Sequence, residues 1–135
     1  MPEMSEERIQ RGFDQFSRMI GPERAVEVRE QWHRISPDFE GFVLGLLAGE
    51  VWTREALDLK TRGLVTIAGL TALGRVRALG LNIEMAVHNG ASEKEITETI
   101  LQMAFYSGFP AAWEGLAIAS EIFSKNKSEG EWSAG

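Results

Sequence analysis

Apolar residues in this chain recur every three to four positions almost from end to end, and that period leaves room for little besides helices. No stretch alternates with period two for long, and no valine-rich block reads as a strand. Glycine, proline and serine punctuate the pattern into about seven helices. The expected class is therefore all-α.

The first helix is expected from Ser5 to Met19, with Ile9, Phe13, Phe16 and Ile20 as its apolar stripe and Gly21-Pro22 as its stop. The second runs from Pro22 to about Arg34, with Ala25, Val28, Trp32 and Ile35 facing inward. Ser36-Pro37 supplies an N-cap followed by proline at the first helical position, opening a third helix to Ala48. Gly49 to Ala56 reads as a connector. Asp58 is placed to cap a long helix reaching Leu73, apolar nearly all round, which suits burial at a domain centre or a subunit contact. Gly74 separates it from a helix over Arg75–His88, closed by Asn89-Gly90. Ser92-Glu93-Lys94-Glu95 is a capping box, with Ala91 and Ile96 as a small staple. That helix reaches about Tyr106, Gly108-Phe109-Pro110 breaks it, and a last helix covers Ala111 to about Lys125. Residues 1–125 are expected as one helical domain and 126–135 as a polar tail.

With 135 residues and 44% hydrophobic composition, the chain can bury a core without staples. It has no cysteine, which excludes disulfides, thiolate metal sites and cysteine nucleophiles. The net charge of −6, with arginines spread among carboxylates, argues against nucleic acid as a partner. No apolar run approaches the roughly 20 residues that span a bilayer. The acidic start, Met1-Pro-Glu-Met-Ser-Glu-Glu, lacks the basic and apolar regions of a signal peptide, so a cytoplasmic location is expected. Two histidines, His33 and His88, with no His-x-x-x-His or Glu-x-x-His spacing, give no expected metal site.

Four segments then carry a resemblance. Glu50-Val-Trp52-Thr-Arg54-Glu-Ala-Leu57-Asp58-Leu-Lys-Thr-Arg62 resembles the opening motif of the carboxymuconolactone decarboxylase family. The stretch Leu64 to Arg75 is similar to its central helix, Asn89 to Ile96 to its capping box, and Tyr106-Ser-Gly108-Phe-Pro110-Ala-Ala112 to its closing motif. Singly each is weak; in this order and spacing they cover about two thirds of the chain. The resemblance implies an alkylhydroperoxidase D-like helical fold, commonly trimeric or hexameric. It also implies decarboxylation of a small anionic lactone in aromatic catabolism, with no cofactor.

Two positions depart from the family pattern. Asn82 stands where the family usually has a histidine, and Trp113 where it tends to have an asparagine. Arg75 and Ala78 occupy the places of the Cys-x-x-Cys pair that the peroxidase branch of the fold requires, so thiol chemistry is excluded.

Decarboxylation needs a group to position the carboxylate, a donor to hold the electrons left behind as an enolate, and an acid to protonate carbon. Arg75 and Asn82, seven apart on one helix, read either as an oxyanion-binding pair or as a snorkelling cation and a hydrogen-bonded amide. Arg54, beside Trp52 in the connector, reads equally as ligand contact or surface cation, while Arg62 reads rather as a structural ion-pair partner. Glu50 suits an acid or base if an apolar wall raises it, and is otherwise a solvated carboxylate. His88 either complements its helix dipole or donates a proton, and His33 has the same two readings with core packing in place of the dipole. Tyr106 and Trp113 flank a helix break and read as pocket walls or aromatic packing. The candidate set is thus Asn82, His88 and Glu50 for catalysis, with Arg54, Arg75, Trp52, Tyr106 and Trp113 for substrate binding. The competing functions are a cyclase or isomerase on a larger substrate and a non-catalytic oligomeric binding protein.

Overall fold

A computed structural model describes residues 4–129. Its elements are α1 (Glu6–Ile20), α2 (Pro22–Ile35), α3 (Pro37–Phe42), a π-helix (Val43–Val51), α4 (Leu59–Leu73), α5 (Val76–His88), α6 (Glu93–Ser107) and α7 (Phe109–Glu129). Among the described residues there is no strand, and the all-α expectation holds.

The caps explain where the helices begin. Ser5 accepts from the Arg8 N–H, Ser36 from Phe39 and Ser92 from Glu95, each satisfying an N–H that the first turn leaves open. Glu95 returns the favour to the Ser92 N–H at 2.9 Å, completing the capping box. Gly21, Gly74, Gly90 and Gly108 end helices or close turns at positive φ, where a side chain would be strained.

Four details differ from the sequence expectation. Ile35 is 81% exposed: it is the last residue of α2, and periodicity carries no information about where the covering partner stops. The helix from Pro37 changes to π-type bonding at Val43 and reaches Val51, with the Trp52 N–H donating to the Leu47 carbonyl five residues back. The connector shortens accordingly. Finally, α7 starts two residues early, at Phe109, and continues to Glu129, so 126–129 are helical; the rest of the expected tail, 130–135, lies outside the described residues.

The chain divides into two units between Asp58 and Leu59. In the first, α1 packs on α2 and on the π-helix, and α2 on α3. Its centre is Phe16, fully buried, with Trp32 at 5.2 Å and Trp52 at 6.3 Å between ring centroids. In the second, α4 packs on α5, α6 and α7, and α7 also meets α5 and α6. Ile67, Leu79, Ile83, Ile96 and Ile100 are fully buried there. Each contributes roughly 1.5–3 kcal/mol of burial. No helix among the described residues is long and apolar enough to cross a membrane.

Candidate active site

The first unit holds Glu50, Trp52 and Arg54. Glu50 is the penultimate residue of the π-helix, and its Oε1 accepts from Arg8 at 3.0 Å and from Arg11 at 2.5 Å, both on α1. Arg8 also donates through Nε to the Gly45 carbonyl. The carboxylate is thus met by two guanidiniums rather than by the apolar wall an acid role calls for. Trp52 is half-buried beside Phe16, and its carbonyl accepts from the buried Gln15 at 3.2 Å. Arg54 is exposed in the connector.

Sequence reasoning missed a second cluster in this unit. Glu40 on α3 is buried, with Arg29 Nε 2.6 Å from one oxygen and His33 Nδ1 2.7 Å from the other. A carboxylate oxygen accepts, so Nδ1 carries the hydrogen. Burial raises the Glu40 carboxyl, but the hydrogen bonds and charges of Arg29 and His33 outweigh it and hold the group below its ordinary value of 4.5. Arg29 also lies 4.8 Å over the Phe13 ring. Arg29, Glu30, His33, Arg34 and Glu40 line an open cleft of about 340 Å3. The available signal was the i, i+4 spacing of Arg29 and His33, which puts both on one face of α2.

The second unit holds the other candidates. Arg75 is exposed at the N-terminal boundary of α5. Asn82 is half-buried at the edge of the stripe formed by the buried Leu79, Ile83 and Ala86, and its Nδ2 donates to the Ala78 carbonyl one turn back at 2.8 Å. His88, the last residue of α5, is exposed; Asn89 beside it donates to the Met85 carbonyl. Asn82 therefore lies within α5 while Arg75, at non-helical φ −89° and ψ 66°, is its N-cap, so the two do not stand on one helix as expected, and the described contacts of Asn82 are with its own helix. Tyr106 and Trp113 are 78% and 76% exposed. Trp113 lines an apolar cleft of about 320 Å3 at the α6–α7 break, together with Leu101, Ala104, Phe109, Pro110, Ala112 and Leu116. At the opposite end of α6, Lys60 on α4 meets Glu95 at 2.7 Å; this bond and the Ser92 N–H hold the Glu95 carboxyl below its ordinary value. No group of three or more His, Asp or Glu side chains suited to a metal occurs among the described residues.

Comparison with known proteins supports a decarboxylase-like enzyme. The model of the carboxymuconolactone decarboxylase family matches residues 37–121. A 4-carboxymuconolactone decarboxylase of Acinetobacter baylyi is 34% identical over 118 residues, 87% of this chain and 88% of its own. A nitrosuccinic acid decarboxylase of Metarhizium robertsii is 33% identical over 84 residues, 62% of this chain and 59% of its own. An uncharacterized 15.0 kDa protein of Paracoccus denitrificans is 34% identical over 98 residues, 71% and 73% of the two chains. The chain belongs to the carboxymuconolactone decarboxylase family. The family match begins at Pro37, so Glu40 and Glu50 lie inside it while the cations that grip them, Arg29 and His33, Arg8 and Arg11, lie before it.

Proposed function

We propose that this protein is a cofactor-independent carbon–carbon lyase that removes CO2 from a small anionic lactone of the carboxymuconolactone type. The observation that carries the reading is the 34% identity to a named 4-carboxymuconolactone decarboxylase over 87% of this chain. The reaction breaks the bond between the ring carbon and its carboxylate. The electron pair is delocalised onto the lactone as an enolate, CO2 leaves, and a proton is then delivered to carbon. In this reading, which uses the second unit alone, Arg75 binds the carboxylate, Asn82 donates to the enolate oxygen, and Tyr106 and Trp113 supply apolar walls. His88 is the candidate for proton delivery; Glu50, paired with Arg8 and Arg11, is left out of this role.

A second reading has an observation of its own. The nitrosuccinic acid decarboxylase relative acts, by its name, on an open-chain nitro acid. There the electron pair left by CO2 passes to a nitro group instead of a lactone, and the same donors serve. Asn82 and Trp113, the two departures from the family pattern, are where a change of substrate would be registered.

The test incubates purified protein with 4-carboxymuconolactone and, separately, with nitrosuccinate, and follows CO2 release. Turnover of the lactone well above that of the nitro acid supports the first reading, and the reverse order supports the second. No CO2 from either, with the protein folded, rejects both and favours a cyclase, an isomerase or a binding protein.

A further inference from the structure

We propose that the cleft between α2 and α3 binds a small oxyanion, a carboxylate or inorganic phosphate, through Arg29, Arg34 and the Nε2–H of protonated His33. Four of its five lining residues, Arg29, Glu30, His33 and Arg34, precede the stretch that the family model matches. The inference is independent of the reaction proposed above. The imidazole is anchored at one nitrogen and open at the other. Glu40 accepts from its Nδ1 at 2.7 Å, and the other Glu40 oxygen accepts from Arg29 Nε at 2.6 Å. The Glu40 side chain is 11% exposed and that of His33 64%. A neutral ring held this way presents only a lone pair at Nε2, which an anion's oxygens repel. A protonated ring presents a donor there, and the buried Glu40 carboxylate stabilises that form.

Charge and space select the ligand. The two arginines of the lining balance its two glutamates, so His33 sets the sign of the cleft. Among the described residues, α1 adds no titratable side chain to the lining; what it brings is the Phe13 ring against Arg29. With the imidazole protonated, the cleft is positive on a chain whose overall charge is −6. Glu40 is already met by Arg29 and His33, so its carboxylate is committed and does not call for a metal cation. Arg29 is fixed twice, by Glu40 and by the Phe13 ring 4.8 Å from its guanidinium carbon. Its described bond uses Nε, which leaves the Nη donors for a ligand, and a guanidinium held in place loses little freedom on binding. The cleft volume of about 340 Å3 is at the small end of ligand sites, roughly 300–1,000 Å3, and fits a small molecule.

The experiment follows the two imidazoles of the full chain by NMR at pH 6 and fixed ionic strength, as sodium succinate or, separately, sodium phosphate is added. His33→Gln assigns the His33 signal by its loss. A saturable shift of that signal is expected with at least one probe, and the tighter probe identifies the source of the oxyanion. Raising the pH to 8 is expected to weaken binding roughly tenfold, the scale of one charged hydrogen bond. Both probes gain negative charge over that range, so the loss is assigned to the Nε2 proton. Arg34→Gln, at an exposed position where folding is unaffected, is expected to weaken binding by a similar roughly tenfold factor. Arg24→Gln, on the same helix but outside the lining, keeps the wild-type affinity. No saturable shift with either probe overturns the proposal. An affinity indifferent to pH or to Arg34→Gln, or an equal loss in Arg24→Gln, also overturns it.

Discussion

Gly12 on α1 lies so close to Leu44 that a Cβ built on it would collide with the Leu44 carbonyl oxygen. The obstacle is backbone, so no side chain can rotate away, and Gly12→Ala must push α1 off the π-helix. A loss of about 3 kcal/mol or more in urea unfolding is expected, the high end for overpacking. Gly69→Ala is the counterpart: nothing lies within 4 Å of a Cβ there, and α4 should gain about 1 kcal/mol from helix propensity. A Gly12→Ala protein as stable as wild type would show that the two elements can separate freely.

Glu40→Gln removes the charge that Arg29 and His33 share. Because His33 is largely exposed, the expected loss is about 1–2 kcal/mol, below that of a fully buried pair. The Glu40 carboxyl is depressed in the folded state, so its stabilising contribution is fully present above its ordinary value of 4.5 and is lost as pH falls through the lower folded value. Unfolding curves from pH 7 to pH 3 should therefore show wild type and Glu40→Gln converging at the acid end. A constant gap across that range would contradict the assignment.

Ser92→Ala opens the capping box of α6. It exposes the Glu95 N–H and leaves Glu95 without its reciprocal partner, at a cost of about 1 kcal/mol. Thermal melts should register it, and Ser92→Asp, which restores a cap acceptor, should recover most of the loss.

Asn82→Ala tests the proposed mechanism. Loss of one enolate donor should lower turnover roughly tenfold to a thousandfold, with binding changed less. Stability should change little, since the amide's described bond is to its own helix at Ala78. Turnover at the wild-type level in a folded variant would remove Asn82 from the mechanism and leave His88, in the same unit, as the candidate.

The helix ends were the most legible part of the sequence because their chemistry is local. Ser36 and Ser92 are caps by residue type, and Gly21, Gly74, Gly90 and Gly108 mark positive-φ ends within a few residues of where the pattern stops. The π-helix was not legible: Val43–Val51 has the apolar spacing of any buried helix, and the shift to bonds five residues apart leaves no trace in it. Nor was the extent of burial along α2, where Ala25 and Val28 are buried but Ile35, on the same stripe, is bare.

The candidate site was legible only as far as motifs reach. Glu50, Trp52 and Arg54 fall within a recognisable segment, yet the partners of Glu50 are Arg8 and Arg11, some forty residues earlier. Glu40 shows the same limit more sharply. Nothing in Pro37-Asp38-Phe39-Glu40 distinguishes its buried carboxylate from the exposed Asp38, because the difference is made by Arg29 and His33 on another helix.

The amide of Asn82 has one hydrogen committed to the Ala78 carbonyl, leaving its second N–H and its oxygen for other partners. An imidazole at that place would gain or lose a proton between pH 5 and 8; an amide does neither. The substitution thus separates acidity from hydrogen bonding at position 82. Whatever substrate this chain turns over, a bend in its pH–rate profile near neutrality must originate at another residue.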